Sequence, residues 1–154
     1  MKIKIDDQGN IVVVAVDSKP IAGAIQVANN NDLLESPGKY AFINGTMALK
    51  KSLVLSATPL SAKADGLSTI QVTIQARTSA GSSDTAAAYQ VVLSVVGDSG
   101  FVVESPLIFS ASSVALSSGV GSFTVKSSAT GTFKIAARSA NVWGGQPLSV
   151  QFAT

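Results

Sequence analysis

Between residues 68 and 77 apolar and polar side chains alternate without a break. Ile70, Val72, Ile74 and Ala76 fall on one face, and Thr69, Gln71, Thr73, Gln75 and Arg77 on the other. A period of two belongs to a strand with one dry and one wet face, and the dry face needs a second layer to cover it. The same alternation returns downstream: Phe123 and Val125 with Ser122, Thr124 and Lys126; Phe133, Ile135 and Ala137 with Lys134 and Arg138; Leu148, Val150 and Phe152 with Ser149 and Gln151. Residues 53–57 read as a strand ended by Thr58-Pro59, because proline has no N–H to give to a ladder. Residues 89–96 form a further long strand. Phe101-Val102-Val103 and Leu107-Ile108-Phe109 read as shorter ones on either side of Pro106, and Val114-Ala115-Leu116 as an edge piece. Turns at Ala64-Asp65-Gly66, Asp98-Ser99-Gly100 and Ala129-Thr130-Gly131, and a polar loop over 79–85, separate them. Seven or more short strands and no helical period predict an all-β fold, an antiparallel β-sandwich.

The first 50 residues are patterned differently. They hold five lysines and five acids, whereas the remainder, twice as long, holds six cations and four anions. The drop in charge density places a boundary near Lys50-Lys51, giving a small, mostly β unit over 1–50 and a sandwich over 51–154. Ile3 and Ile5 alternate with Lys2 and Lys4, Asp7-Gln8-Gly9-Asn10 supplies a turn, and residues 11–16 return as the second strand of a hairpin. Asn29, Asn30, Asn31 and Asp32 are candidate N-caps for a short helix through Leu33-Leu34-Glu35, which Ser36-Pro37-Gly38 must stop. Residues 40–43 and 46–49 flank Asn44-Gly45 as a second hairpin. So short a segment buries little core and is expected to lean on a support. Ile3, Ile5, Val12, Val14, Tyr40 and Phe42 are its candidate attachment residues.

Composition narrows the chemistry. With no cysteine and no histidine, thiol nucleophiles, imidazole bases and the usual zinc or copper ligand sets are excluded, as are disulfides. The formal net charge is +2, with the cations scattered, so no nucleic-acid surface is expected. The N-terminus has a basic start, but Asp6 and Asp7 follow, and the apolar run after them is too short for a signal peptide or a membrane span. The expectation is a chain made and kept soluble unless a leader precedes it, with no membrane partner.

Leu55-Ser56-Ala57-Thr58-Pro59, followed by Ala64-Asp65-Gly66-Leu67-Ser68-Thr69 leading into an alternating strand, resembles the opening of the bacterial immunoglobulin-like domains of the invasin and intimin type. Residues 119–125, then Ser128-Ala129-Thr130-Gly131-Thr132-Phe133-Lys134-Ile135-Ala136-Ala137, then residues 148–152, resemble that family's last three strands. The likeness covers residues 52–154. It departs at Thr78-Ser79-Ala80-Gly81-Ser82-Ser83-Asp84, where the family usually carries a hairpin of the form Asp-x-x-Gly-Asn-Pro-Val. The resemblance implies an immunoglobulin-like β-sandwich with no catalytic residues and no cofactor. Such domains serve as spacers in bacterial adhesins and as modules of tailed-phage capsid, tail and decoration proteins. The turn Asp6-x-x-Gly9-Asn10 and the Pro37-Gly38-Lys39-Tyr40 element before Asn44-Gly45 are similar to short segments of tailed-phage virion proteins. Together these imply a non-enzymatic structural protein of a virion: a capsid decoration protein first, a tail accessory protein otherwise. The alternative is a spacer or receptor-binding module of a bacterial surface adhesin. The expected partner is a major capsid or other virion protein, with further copies of the chain and host-surface glycans as additional candidates.

Individual sites add little chemistry. A calcium site built on Asp65 with Asp84 or Asp98 lacks the several acids in one loop that six to eight oxygen ligands demand. Asp65 reads instead as a turn residue whose carboxylate accepts backbone hydrogen bonds. Asp6-Asp7 and Asp32 with Glu35 are the nearest approach to a carboxylate pair, but no apolar wall stands beside them to raise one pKa. Trp143, the single tryptophan, precedes Gly144-Gly145 in the connection to the last strand. Two readings stand: a lid folded onto the sandwich, or an exposed-loop contact for a partner. Tyr89 and Phe101 are expected in the core.

Overall fold

A computed structural model describes residues 1–7, 11–15, 22–27, 31–43, 45–140 and 142–154. The turn at Gln8-Gly9-Asn10, Val16, Asn29, Asn30 and Asn44 lie outside the described residues. The chain divides into two compact units, Met1–Lys50 and Lys51–Thr154.

In the first unit β1 (Lys2–Ile5) lies between β2 (Ile11–Ala15) and β3 (Ile25–Gln26), all antiparallel, with a bulge between Lys4 and Ile5. A one-turn helix α1 (Asn31–Glu35) gives way to a 3-10 turn (Pro37–Lys39), as the Ser36-Pro37-Gly38 stop requires. The hairpin of β4 (Tyr40–Ile43) and β5 (Thr46–Leu49) follows, with Gly45 at positive φ in its turn. Met1, Ile3 and Leu33 form a small buried core, with Ile5, Ile11, Val14, Ile25, Val27, Tyr40, Phe42 and Met47 packed against it.

The second unit is a two-layer sandwich. Its central strand is β8 (Thr69–Arg77), whose Ile70, Val72, Ile74 and Ala76 are fully buried; burying each of the larger ones is worth about 1.5–3 kcal/mol. On one side β8 pairs with β6 (Ser52–Ala57), and on the other with β12 (Val120–Lys126). The short β10 (Ile108–Phe109) completes this four-stranded sheet beyond β12. The facing sheet runs in the order β11 (Ser113–Ala115), β9 (Gln90–Val96), β13 (Gly131–Arg138), β14 (Leu148–Ala153) and β7 (Ser61–Lys63). Leu53, Leu55, Phe123 and Val125 from the first sheet meet Val91, Leu93, Ile135, Val150 and Phe152 from the second in one core. After β6 the chain crosses from one sheet to the other through a cis Thr58-Pro59 bond and continues as β7. There β7 pairs with β14 in parallel, a pairing that the alternation pattern does not show.

The segment Phe101-Val102-Val103 does not form the strand expected of it. The turn over 97–101 closes through Gly97 N–H to the Phe101 carbonyl at 2.9 Å, and Val103 N–H reaches the Val95 carbonyl at 3.0 Å. The contact with β9 amounts to a single bridge, Val96 to Val102. Phe101 stands at the tip of this turn, 75% exposed and outside the core. Tyr89, by contrast, packs against the core as expected.

Candidate functional site

The features that combine an aromatic, a charge cluster and a concave surface all lie in the second unit, where the chain joins β6. Trp143 is placed there by its backbone. Its N–H donates to the Lys51 carbonyl at 2.9 Å and its carbonyl accepts from Leu53 N–H at 2.9 Å, a parallel rung on the edge of β6. The two glycines that follow are demanded by close approach: a Cβ on Gly144 would collide with the Ala137 carbonyl oxygen, and one on Gly145 with that of Leu53. Gly145 also sits at φ +71, where a side chain is strained. Trp143 is half-buried and forms one wall of a groove of about 360 Å³ with Leu53, Val54, Leu55, Pro147 and Leu148. The ring is therefore neither a closed lid nor a freely projecting anchor.

Beside this rung Lys51 Nζ pairs with Asp84 Oδ2 at 2.8 Å. Asp84 is 6% exposed while the lysine is 54% exposed, so the carboxylate is sunk and the ammonium reaches down from solvent. The hydrogen bond to Asp84 and its negative charge hold the lysine ammonium above its ordinary pKa. Tyr89 completes the cluster; its hydroxyl is buried and makes no hydrogen bond to the described residues, and burial, then the Asp84 charge, push its pKa up. The backbone of Asp84 is fixed by its N–H to the Ala76 carbonyl at 2.9 Å and by Ala87 N–H to its own carbonyl at 3.1 Å. Gly119, at φ +79, lies so close that a Cβ there would strike the Asp84 carbonyl.

Asp65 and Asp98 are also occupied structurally. The Asp65 carboxylate accepts from Ser68 N–H at 2.6 Å, Leu67 N–H at 2.8 Å and the Ser68 hydroxyl at 2.8 Å. Those bonds, the Ser68 N–H foremost, hold its pKa down at about 2. This is the turn role read from the sequence. Asp98 pairs with Lys134 at 2.7 Å, and the bond to that lysine lowers its pKa. Their pair rims a second hollow of about 230 Å³ lined by Val95, Val103, Pro106 and Phe133. Among the described residues no three acids are grouped as a metal would need, and Asp65, Asp84 and Asp98 occupy separate sites.

In the first unit Ile3 is buried, and Ile5, Val14, Tyr40 and Phe42 pack around the unit's own small core. Of the six attachment candidates only Val12 is strongly exposed, at 54%. Sequence reasoning missed the Lys51–Asp84–Tyr89 cluster, since its members are remote in the chain and Asp84 ends a loop of small polar residues. The double glycine after Trp143 was the one visible trace of the β6 contact.

No protein-family model matches the chain, and no curated protein matches it in sequence. Solved structures do resemble it. The D00–D0 domain structure of intimin aligns with a TM-score of 0.54 and 25% identity over 72% of this chain and 52% of that one. A glycosyl hydrolase family 2 member from Bacteroides cellulosilyticus aligns with a TM-score of 0.57 and 14% identity, covering 75% of this chain but 17% of that one. A beta-glucuronidase of the same hydrolase family aligns with a TM-score of 0.55 and 15% identity, over 74% and 14%. The chain thus spans about half of the intimin structure and under a fifth of either hydrolase. The likeness to the hydrolases is one of fold alone. The sandwich over residues 51–154 is all-β with an immunoglobulin-like fold, similar to the bacterial immunoglobulin-like domains of intimin.

Proposed function

We propose that the chain is a non-enzymatic structural protein of a tailed-phage virion, a capsid decoration protein in the first instance and a tail accessory protein in the second. In this reading residues 1–50 hold the particle and the immunoglobulin-like unit projects from it. The observation that carries the reading is the division into two separately cored units, a small one of 50 residues ahead of a complete sandwich. A non-enzymatic role is supported by three of the four acids of the sandwich: Asp65 is tied into a turn, and Asp84 and Asp98 into ion pairs, so none of these three stands ready as an acid or base.

A second reading, a spacer or receptor-binding module of a bacterial surface adhesin, is favoured by the intimin alignment. Co-sedimentation separates the two. The full chain and a chain of residues 51–154 are spun with purified heads and with purified tails of the candidate phage. Saturable binding of the full chain, lost on truncation, is expected. A well-folded full chain that stays in the supernatant with both particle parts contradicts the virion reading and leaves the adhesin one.

A further inference from the structure

We propose that two uncharged strand edges of the second unit bind one another between copies of the chain, head to tail, with Phe101 of one copy seated in the groove beside Leu55 of the next. β6 is the outermost strand of its sheet. Leu53 N–H points out of that edge to the Trp143 carbonyl, so the N–H and C=O groups of Leu55 and Ala57, further along the strand, face the same way. After its one rung on β6 the Trp143 segment leaves through Gly144-Gly145-Gln146-Pro147 to begin β14, and no described residue pairs with the open groups of Leu55 and Ala57. The groove of Leu53, Val54, Leu55, Pro147 and Leu148 lies beside them.

The second edge is the segment after β9. Gly97 N–H reaches the Phe101 carbonyl and Val103 N–H the Val95 carbonyl, so Phe101 and Val103 turn their backbone groups towards β9. Val102 and Glu104 therefore turn theirs away from it, and no described residue pairs with them there. The side chains of 101–103 are apolar and open to solvent, with Phe101 75% exposed and Val102 60%. An apolar cluster left in water in this way marks a contact surface.

Open edges are ordinarily blunted by charge, proline or shortness. The other outer strands obey this: β7 carries Lys63, β10 has two residues and β11 three. Residues 52–57 and 101–103 hold neither charge nor proline. Whatever covers the β6 edge must be an extended backbone, since only that meets N–H and C=O groups in alternation, and it must be uncharged, since no charged side chain lines the groove. Phe101-Val102-Val103 meets both demands and brings an aromatic anchor for the groove. The two edges belong to opposite sheets of the sandwich, so the contact joins unlike surfaces of two copies and leaves one of each unused at the ends of the complex. A contact of so few rungs is weak for a single pair and gains from repetition on an ordered surface. It follows from the two edges and does not depend on the virion reading.

Sedimentation velocity of the full chain, from micromolar to millimolar concentration, tests it. The parent is expected to grow past the dimer as concentration rises. Phe101→Lys and Val54→Lys, both at exposed positions, are each expected to remain monomeric. Mixed in equal amounts, the two variants retain one intact Phe101 and one intact groove between them, and they are expected to form a dimer that grows no further. A parent that stays monomeric throughout overturns the contact and leaves the β6 edge to a strand of another protein. Growth of either variant alone, or a mixture that stays monomeric while the parent associates, also overturns it. Circular dichroism checks that each variant is folded; should Val54→Lys not fold, the comparison of Phe101→Lys with the parent decides without it.

Discussion

At the scale of single residues, Asp65 and Asp84 are structural, and each has a measurable signature. The Asp65 carboxyl titrates at about 2 in the folded chain against an ordinary 3.8. A depressed folded pKa gives stability that is present above the unfolded value and is lost as pH falls through the folded one. Denaturant midpoints of the parent chain are therefore expected to fall from about pH 4 towards about pH 2 more steeply than those of Asp65→Ala. Parallel slopes for the two would remove the turn bonds as the cause. The Lys51–Asp84 pair predicts an asymmetry. Lys51→Ala strands a buried carboxylate, whereas Asp84→Ala strands an ammonium that already reaches water. Chemical denaturation is expected to show Lys51→Ala as the more damaging change, and the reverse order would place the stabilisation elsewhere.

At the scale of elements, strand polarity and long-range backbone contacts decide what the pattern alone leaves open. β8 and the last three long strands were legible because each alternates over many residues and buries one face. β7 was not, since Ser61-Ala62-Lys63 offers three residues and no large apolar side chain; its place comes from the β14 edge it joins. Phe101 misled for a related reason. An apolar triplet reads as a strand, but its position is set by the Gly97–Phe101 turn, and it meets β9 at a single bridge. For Trp143 the neighbouring glycines were legible and the partner strand was not. Gly144→Ala and Gly145→Ala are each expected to cost roughly 1–3 kcal/mol by forcing the segment off β6, read as a loss of unfolding free energy. A neutral effect at both positions would mean that the approach to Ala137 and Leu53 is not tight.

At the scale of the whole molecule, charge density falls near Lys50, and the structure has two compact units, Met1–Lys50 and Lys51–Thr154. What the sequence left ambiguous was the use of the apolar side chains in the first unit. A small β unit must spend most of them on its own core, and Ile3, Ile5, Val14, Tyr40 and Phe42 go there. Among the described residues that leaves Val12, Leu34, Leu49 and the polar exterior as the surface to offer a partner. Among the described residues no helix is long and apolar enough to cross a membrane. The proposed virion role requires the first unit to bind a particle while the sandwich stands clear of it. Lysine cross-linking with mass spectrometry on the particle-bound chain tests this most directly. Lys2, Lys4, Lys39 and Lys50 report on the first unit, and Lys63, Lys126 and Lys134 on the second. Cross-links to the particle are expected from the first set alone; cross-links concentrated in the second set would contradict the account.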